Sequence, residues 1–174
     1  MNKLPFTKKQ IIDLFKKQNK IISASELIDL KSAEGRFLST DLNSKINLPP
    51  FNNSAVDGYA LHIKDLKNDK ILYCKRRIAA GDKKNIKIKQ GEAVRIFTGA
   101  KMPANSSTVV MQENTFRKES KVKILKAPRI GDNSRIKGED IKKNQKILIK
   151  GSKINQQNIN LIAASGIQKI KVFK

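Results

Sequence analysis

The sequence predicts a mixed α/β and β fold, in which an α/β domain built from both chain ends is interrupted by an inserted β domain. Apolar residues recur at helical spacing only near the two ends, within residues 7–18 and 155–166. The stretch 48–126 instead consists of short alternating runs separated by Gly, Asp and Asn, which is typical of strands joined by tight turns. With 174 residues the chain can hold one or two domains.

The first predicted element is a helix that begins at Thr7. Thr7 and Gln10 have the spacing of a capping box, in which each side chain binds the backbone at the other's position. The apolar face is expected to comprise Ile11, Ile12, Leu14 and Phe15, and the helix to end near Gln18. Two short strands are predicted next, at residues 25–30 and 36–42. A helical turn that ends at Gly35 separates them.

The central region is predicted to be an all-β unit, either a small barrel or a curved sandwich. Its strands are expected where apolar and polar residues alternate, in the runs YALHI, KILYC, NIKIK, EAVRIF, TVVMQE and VKIL. Turn-forming residues bound each run. This texture ends near residue 126 and gives the predicted inserted β domain, residues 46–142.

The C-terminal region returns to α/β structure. A strand is predicted at residues 146–150, then a helix capped by Asn155 and ended by Gly166, and finally a strand at residues 170–173. Together with residues 1–45, residues 143–174 form the predicted discontinuous α/β domain. Because the chain stops directly after a strand, we expect a longer protein to continue into a further domain.

The chain is strongly basic, with 37 Lys and Arg against 15 Asp and Glu and a formal net charge of +22. Such an excess attracts nucleic acid, so a basic nucleic-acid-binding module is one hypothesis. The lysines are spread evenly, however, and seven Phe and two Tyr with no Trp offer few stacking platforms. This distribution favours a compositional bias and argues against nucleic acid as a partner.

The sequence offers few residues that could bind a metal and no apolar segment that could enter a membrane. One Cys and one His cannot supply a Cys/His zinc site, so no resident metal ligands are predicted. The N-terminal stretch has no apolar run long enough for a signal peptide or a membrane span. A cytoplasmic location and no membrane partner are therefore expected.

Three stretches could carry chemistry. The first, Leu48–Leu61, reads LPPFNNSAVDGYAL and contains an isolated acid, Asp57, before Gly58. The second, Gly91–Pro103, reads GEAVRIFTGAKMP, and its Thr98 hydroxyl and following amides could bind an anion. Turn chemistry alone could explain both, because Asp, Thr and Gly are common where strands end.

The third stretch, Gly131–Ile141, reads GDNSRIKGEDI. Arg135 could grip a phosphate in bidentate fashion, and Asp140 could position a hydroxyl or Mg²⁺. The alternative is an ion-paired surface loop of little energetic consequence. From the residues alone, these alternatives stay open for all three stretches.

Taken in order, the three stretches resemble the N-terminal region of the molybdopterin molybdenumtransferase family, the MoeA and gephyrin-type enzymes. The family patterns PPFDNSAMDGYA, GEAVRIMTGAPVPEGADAVVMQE and G-x-N-x-R-x-x-GEDI match PPFNNSAVDGYA, GEAVRIFTGAKMPANSSTVVMQE and GDNSRIKGEDI. GSKI and LIAASGI resemble the family's G-x-x-L turn and L-A-x-x-G-I helix end. The resemblance covers nearly the whole chain.

The resemblance implies an elongated α/β domain interrupted by a β-barrel-like domain, and a homodimer whose active site also needs a molybdopterin-binding domain. The implied reaction inserts molybdate into adenylylated molybdopterin with release of AMP, assisted by Mg²⁺. On this basis the isolated chain is expected to be an inactive first portion of the enzyme. A dimerisation or scaffold module without catalysis is a further alternative.

The resemblance also implies the site residues. Asp57 and Thr98 are expected to be catalytic, and the expected substrate-binding residues are Asn53, Ser54, Gly58, Gly99, Arg135 and Asp140. Asn52 stands where the family has aspartate, and NSSTVV stands where it has GADAVV. No carboxylate role can therefore apply at either place.

Overall fold

The computed structural model describes residues 6–18 and 24–174, and the chain forms two compact units. One unit comprises Met1–Leu42 and Lys146–Lys174, and the other comprises Asn43–Gln145. The helices are α1 (Lys8–Gln18) and α2 (Gln156–Ala164). The strands are β1 (Ser25–Asp29), β2 (Leu42–Asn43), β3 (Asn53–Ser54), β4 (Gly58–His62), β5 (Ile71–Ile78), β6 (Glu92–Ile96), β7 (Ser106–Met111), β8 (Thr115–Lys118), β9 (Lys121–Ile124), β10 (Ser134–Arg135), β11 (Lys146–Leu148) and β12 (Lys169–Phe173).

The first unit is organised around the antiparallel pair β1–β12, in register from Ser25 opposite Phe173 to Asp29 opposite Lys169. Its core is aliphatic and consists of Leu30, Ala33, Leu38, Ile154, Ile162, Ile167, Ile170 and Val172. Helix α2 contributes Ile162 to this core and ends before Gly166, whose φ of 78° is accessible to glycine at little cost.

Both helices begin as their sequences predict. The Thr7 amide donates to Oε1 of Gln10 at 2.8 Å, and the Gln10 amide donates to Oγ1 of Thr7 at 3.3 Å. At α2, the Asn155 side chain accepts from the Asn158 amide at 2.8 Å, and the Asn158 side chain accepts in return. These reciprocal bonds satisfy amides that a helix N-terminus would otherwise leave unpaired.

The second unit contains a curled six-stranded sheet with strand order β7-β4-β6-β5-β9-β8. Its neighbouring strands are antiparallel, except for the parallel pair β5–β6. Side chains from both faces of the sheet are buried. One cluster contains Tyr59, Leu61, Leu72, Cys74, Ala93, Val110, Val122 and Ile124, and the other contains Ala60, Ile78, Ile88, Val94, Ile96, Ala100 and Val109.

The fold is therefore mixed α/β, as predicted, and two strand predictions were wrong. Residues 85–89 form only an isolated parallel bridge between Lys87 and Ala104. Pro103 lacks an amide hydrogen and Asn105 has a φ of 67°, so this pairing cannot extend in either direction. In residues 36–42 only Leu42 lies in a strand, β2. Phe37 bridges Lys153 while Leu38 bridges Val172, and because these partners lie on different segments no ladder forms there.

Candidate functional site

The loop before β4 is shaped by Ser54. This serine is buried, and its hydroxyl donates to the carbonyl of Val56 at 2.6 Å and accepts from the Val56 amide at 3.4 Å. Such a local side-chain bond fixes a tight turn between β3 and β4. The turn places Asp57 at the entrance of β4, where its side chain is half-buried.

Thr98 follows β6 and contacts Asp57 directly. The amide and the hydroxyl of Thr98 each donate to Oδ1 of Asp57 at 2.8 Å. These two bonds stabilise the charged carboxylate, so the Thr98 amide, the Thr98 hydroxyl and the nearby Arg95 cation hold the pKa of Asp57 below its ordinary value. The structure thus joins two loops that are 41 residues apart in the sequence.

The amides after Thr98 are already bonded. Gly99 has a φ of 78° and its amide donates to the Ser54 carbonyl at 2.8 Å, while the Ala100 amide donates to the Phe97 carbonyl at 2.9 Å. Ser54 in turn donates its amide to the Ala100 carbonyl at 3.0 Å. The Gly99 and Ala100 amides are therefore not available to an anion in this conformation, and Gly99 serves to dock the Thr98 loop against β3.

The third stretch lies against β3. Strand β10 pairs with β3, so that Arg135 lies opposite Asn53. The Arg135 guanidinium donates to both carboxylate oxygens of Asp140, at 2.6 and 2.7 Å, and Nε donates to Glu139. Asp140 and, to a lesser degree, Glu139 raise the pKa of Arg135. Two carboxylates therefore surround one cation, and Arg135 is engaged within its own loop.

Strand β3 is the element around which all three stretches meet. The Asn53 backbone bridges Lys101 on one side and pairs with Arg135 on the other. Oδ1 of Asn53 is buried and accepts no hydrogen bond from the described residues. Among those residues, no side-chain hydrogen bond connects Asp57 itself with the Arg135 loop, and β3 is the strand that pairs with that loop.

Asn52 occupies the position where the family pattern has aspartate. Its Oδ1 accepts from the Lys137 amide at 2.8 Å, which connects the first stretch with the third. A carboxylate oxygen could accept the same bond, because only an acceptor is needed. The substitution therefore preserves the local structure.

Gly58 has a packing role. A Cβ atom added at this position would lie 2.0 Å from the carbonyl oxygen of Val110. Only glycine allows β4 to approach β7 this closely at the residue after Asp57. Glycine is therefore required at position 58 by the packing of β4 against β7, whether or not this residue contacts a substrate.

Arg95 lies beside this pair of loops, and no sequence motif pointed to it. Its guanidinium lies over two aromatic rings, 5.1 Å from the centroid of Tyr59 and 4.9 Å from that of Phe97. The guanidinium also donates to the side-chain Oε1 of Gln112. The backbone amide of Gln112 donates to the backbone carbonyl of Asp57 at 3.1 Å. The sequence did contain a signal for Arg95, since it is a cation in a strand, β6, whose other residues are mostly apolar and buried. A charge in such a place needs specific partners, such as aromatic rings.

Metal ligands are sparse. In the part of the chain that the structure describes, no three His, Cys, Asp or Glu side chains form a group able to hold a metal ion. Asp140 is paired with Arg135, and Asp57 offers one carboxylate. These residues do not by themselves fit a Mg²⁺ site. No helix within residues 6–18 or 24–174 is long and apolar enough to cross a membrane.

The fold and the site define a class of protein in which a six-stranded sheet holds the Asp57 loop in contact with the Thr98 loop. Comparison with known proteins identifies the class: the chain belongs to the family described as "MoeA N-terminal region (domain I and II)", whose model matches residues 7–166.

Similar proteins and structures support the same family. The chain is 36% identical over 155 residues to a molybdopterin molybdenumtransferase of Nostoc sp., and 33% identical over 151 residues to one of Haemophilus influenzae. Each alignment covers 86% of this chain but only 36% and 37% of the respective relative. The crystal structure of a molybdopterin biosynthesis MoeA protein from Pyrococcus horikoshii superposes with a TM-score of 0.88 at 30% identity, covering 95% of this chain and 43% of that chain.

Proposed function

We propose that this chain forms the first part of a molybdopterin molybdenumtransferase, which inserts molybdate into adenylylated molybdopterin and releases AMP. The observation that carries the proposal is the direct contact between Asp57 and Thr98 in a chain of the MoeA N-terminal family. Because the chain spans little more than a third of its transferase relatives, activity is assigned to a full-length protein that contains it. The isolated chain is expected to be inactive.

In this proposal Asp57 is the catalytic group and Thr98 holds it in place. Both donor groups of Thr98 bind Oδ1 of Asp57, while Oδ2 accepts no hydrogen bond from the described residues. A carboxylate fixed through one oxygen can direct the other toward a water molecule or a substrate hydroxyl. The pKa of Asp57 lies below its ordinary value, so the carboxylate is ionised at neutral pH, as this role requires.

The remaining predicted site residues complete the proposed cleft. Oδ1 of Asn53 is buried and accepts no hydrogen bond from residues 6–18 and 24–174, and Ser54 and Gly99 hold the two loops together. Arg135 and Asp140 would contact substrate only if their mutual ion pair rearranged. Mg²⁺ stays an expectation from the family resemblance, and no step is assigned to it.

Broader features also belong to the proposal. We propose that the two compact units correspond to a discontinuous α/β domain, residues 1–45 and 143–174, and a barrel-like inserted domain, residues 46–142. A homodimer and a cytoplasmic location are expected for the full-length enzyme. The relatives named above are transferases, which gives no support to a nucleic-acid-binding or scaffold module.

The proposal is tested by reconstituting molybdenum cofactor synthesis with a full-length protein that carries these residues. Asp57→Ala and Thr98→Ala are each expected to lower the rate by about 100-fold or more, as for loss of a positioned proton-transfer group. Thr98→Ser keeps the hydroxyl and is expected to retain most of the activity. Thr40→Ala, at an exposed threonine in the other unit, is the control. Normal cofactor yield from both alanine variants would remove the site assignment.

A further inference from the structure

The six-stranded sheet has two edge strands, and they differ in how their outer backbone groups are used. At β7, the Val109 amide donates to the Asp132 carbonyl at 3.1 Å, and the Gly131 amide donates to the Ser107 carbonyl at 3.0 Å. The segment that contains Gly131 and Asp132 therefore covers that edge. Strand β8, at the other end of the strand order, pairs only with β9 within the described residues. An open edge of this kind can pair with a further strand.

The direction of the open backbone groups of β8 follows from its neighbour β9. The Ile124 amide donates to the Lys70 carbonyl at 2.9 Å, and the Ile124 carbonyl accepts from the Asp69 amide at 2.8 Å. Both groups of Ile124 thus point away from β8, so Ile124 and its partner Thr115 form a pair without mutual hydrogen bonds. Because this pattern alternates along an antiparallel ladder, the amide and the carbonyl of Arg117 also point away from β9. Arg117 therefore presents one donor and one acceptor at the open edge.

The hairpin formed by β8 and β9 is strongly cationic. Residues 115–124 contain four cations and a single acid, namely Arg117, Lys118, Lys121, Lys123 and Glu119. Lys123 is paired with Asp69 at 2.7 Å. The other three cations form no salt bridge within residues 6–18 and 24–174. Opposite charges on neighbouring strands stabilise their pairing, so this hairpin favours an acidic strand as its neighbour.

The same charge argues against a second copy of this chain at the edge. Two β8 strands side by side would bring Arg117 and Lys118 of one copy close to those of the other, and each copy carries a formal net charge of +22. Like charges on neighbouring strands destabilise their pairing, and lysine at an edge is a common protection against self-association. This protection does not act against a strand of opposite charge, so the edge selects its partner by charge.

Exposed apolar side chains accompany the cations on one face of the sheet. Phe116 lies opposite Lys123, which in turn lies opposite Ile71 of β5. Phe116 and Ile71 are 60% and 57% exposed, and Tyr73, two residues further along β5, is 56% exposed. A strand added to β8 would place one of its side chains beside Phe116. An apolar side chain there would bury part of the aromatic ring.

We propose that the open edge of β8 binds an extended, acidic segment of a partner protein by β-strand addition. The backbone of the segment bonds to the amide and the carbonyl of Arg117, its acids lie beside Arg117 and Lys118, and an apolar side chain packs on Phe116. In this mode of recognition the backbone bonds supply affinity and the side chains supply specificity. A nucleic acid lacks the alternating donors and acceptors of a peptide backbone and fits the edge less well. The inference does not depend on the transfer reaction proposed above.

The test is an NMR titration of the ¹⁵N-labelled 174-residue chain with an acetylated and amidated peptide of sequence TEEVVT. In an antiparallel register, its two Glu residues lie beside Lys118 and Arg117, and the first Val lies beside Phe116. Shift changes are expected at β8 and not at β7, with a Kd of about 1 mM or tighter. The absence of shift changes at about 10 mM peptide would overturn the proposal, because a site of that affinity would then be mostly occupied.

Two control peptides separate backbone pairing from charge. The same peptide, N-methylated at its second Glu, keeps its charge but lacks the N–H that would donate to the Arg117 carbonyl. It is expected to bind at least about tenfold more weakly, because a hydrogen bond is lost and a methyl group obstructs the strand. The peptide TKKVVT has the opposite charge and is expected not to bind. Unchanged affinity of the methylated peptide would overturn strand addition, and equal affinity of TKKVVT would overturn the acidic class of partner.

Variants of Arg117 test the same contact from the side of the protein. Arg117→Pro removes the outward N–H, and proline is tolerated in an edge strand where the N–H faces solvent. It is expected to lower TEEVVT affinity by at least about tenfold. Arg117→Gln keeps the amide and should lower affinity only about threefold, the scale of an exposed ion pair. Lys31→Gln, at an exposed cation in the other unit, is the control and should change nothing. Equal losses in the two Arg117 variants would overturn the backbone contact.

Two further measurements address other occupants of the edge. Sedimentation is expected to give the same oligomeric state for the wild type and for Arg117→Pro, and a dimer that this substitution dissociates would show that a second copy occupies β8. A single-stranded oligonucleotide is expected to leave the β8 signals unchanged at about 0.15 M salt. Oligonucleotide binding at β8 that is tighter than that of TEEVVT would assign the edge to nucleic acid. Either of these contrary outcomes would overturn the proposal.

Discussion

The carboxylate of Asp57 is controlled by the groups that surround it. One oxygen accepts two hydrogen bonds from Thr98, and Arg95 adds a positive charge that two aromatic rings hold in place. Each of these groups stabilises the ionised form over the protonated form. The stability of this unit is therefore expected to depend on the protonation of a single side chain.

Asp57→Asn is expected to reduce the loss of stability in acid. The folded-state pKa of Asp57 lies below the ordinary value of 3.8, so its stabilising contribution is complete above that value and is lost as pH falls through the folded pKa. Asparagine keeps an acceptor but carries no charge. Urea unfolding should show a less stable variant at pH 7 and convergence with the wild type at an acidic pH below the folded-state pKa of Asp57. Glu34→Gln, at an exposed acid, is the control, and an equal stability difference at both pH values would contradict the expectation.

Two further substitutions should rank the groups that act on Asp57. Thr98→Val removes the hydroxyl donor, and Arg95→Met removes the more distant charge, so both are expected to raise the pKa of Asp57. The effect of Thr98→Val should be the larger, because a direct hydrogen bond is lost. A carboxyl ¹³C NMR titration of Asp57 measures both shifts. A larger shift in the Arg95 variant would show that the charge dominates.

The sequence predicted part of the arrangement around Asp57, Thr98 and Arg135. The motifs singled out Asp57 and Thr98, and the structure brings both into contact. They did not reveal that the Gly99 and Ala100 amides are bonded. They left open whether Arg135 binds a phosphate or forms an ion-paired surface loop, and in the structure Arg135 is paired with acids in its own loop. Such details depend on which partners the folded backbone brings within about 3 Å, and spacing along the chain does not encode this.

Among the secondary-structure elements, β4 contributes most to the site. It lies between β6 and β7 in the sheet, and four of its five residues are buried. Gly58, its first residue, approaches β7 so closely that a Cβ atom would overlap the Val110 carbonyl. The strand that follows Asp57 is thus fixed by backbone contact on two sides.

Gly58→Ala is expected to destabilise the protein by about 3 kcal/mol, at the upper end of the usual cost of overpacking, because the obstructing atom is backbone and cannot rotate away. Gly35→Ala is the matched control. Gly35 has a φ of 79° and open space around it, so alanine there should cost only about 1 kcal/mol for its conformation. Urea unfolding of both variants at pH 7 gives the comparison, and similar costs would show that overlap at β7 is relieved.

Local signals predicted the helices and most strands, and long-range pairing decided the rest. The capping residues Thr7 and Asn155 act within their own turns, so sequence alone located both helix starts. Residues 85–89 alternate like a strand, yet their partner segment contains Pro103 and turns at Asn105. Strand β8 was missed, because TFRK is mostly exposed and pairs only with β9.

Across the whole chain, contacts divide the residues into two units, and the chain enters and leaves the second unit at adjacent points. The Ser44 amide donates to the Gln145 carbonyl at 2.9 Å, and the Asn144 amide donates to the Ser44 carbonyl at 2.8 Å. Ends that lie this close together are typical of a domain that can be inserted into another domain. Its hydrophobic clusters also lie entirely within Asn43–Gln145.

A protein comprising residues 43–145 alone is therefore expected to fold. At about 100 residues it is large enough for an independent core, and its sheet residues keep their pairing partners. ¹H–¹⁵N spectra should overlay on those of the 174-residue chain for the sheet residues, and urea unfolding should be cooperative. The same segment with Gly58→Ala is the control and should unfold at lower urea. Loss of spectral dispersion in the unmodified segment would show that the β unit needs the flanking α/β unit, and the inserted domain would then not be an independent folding unit.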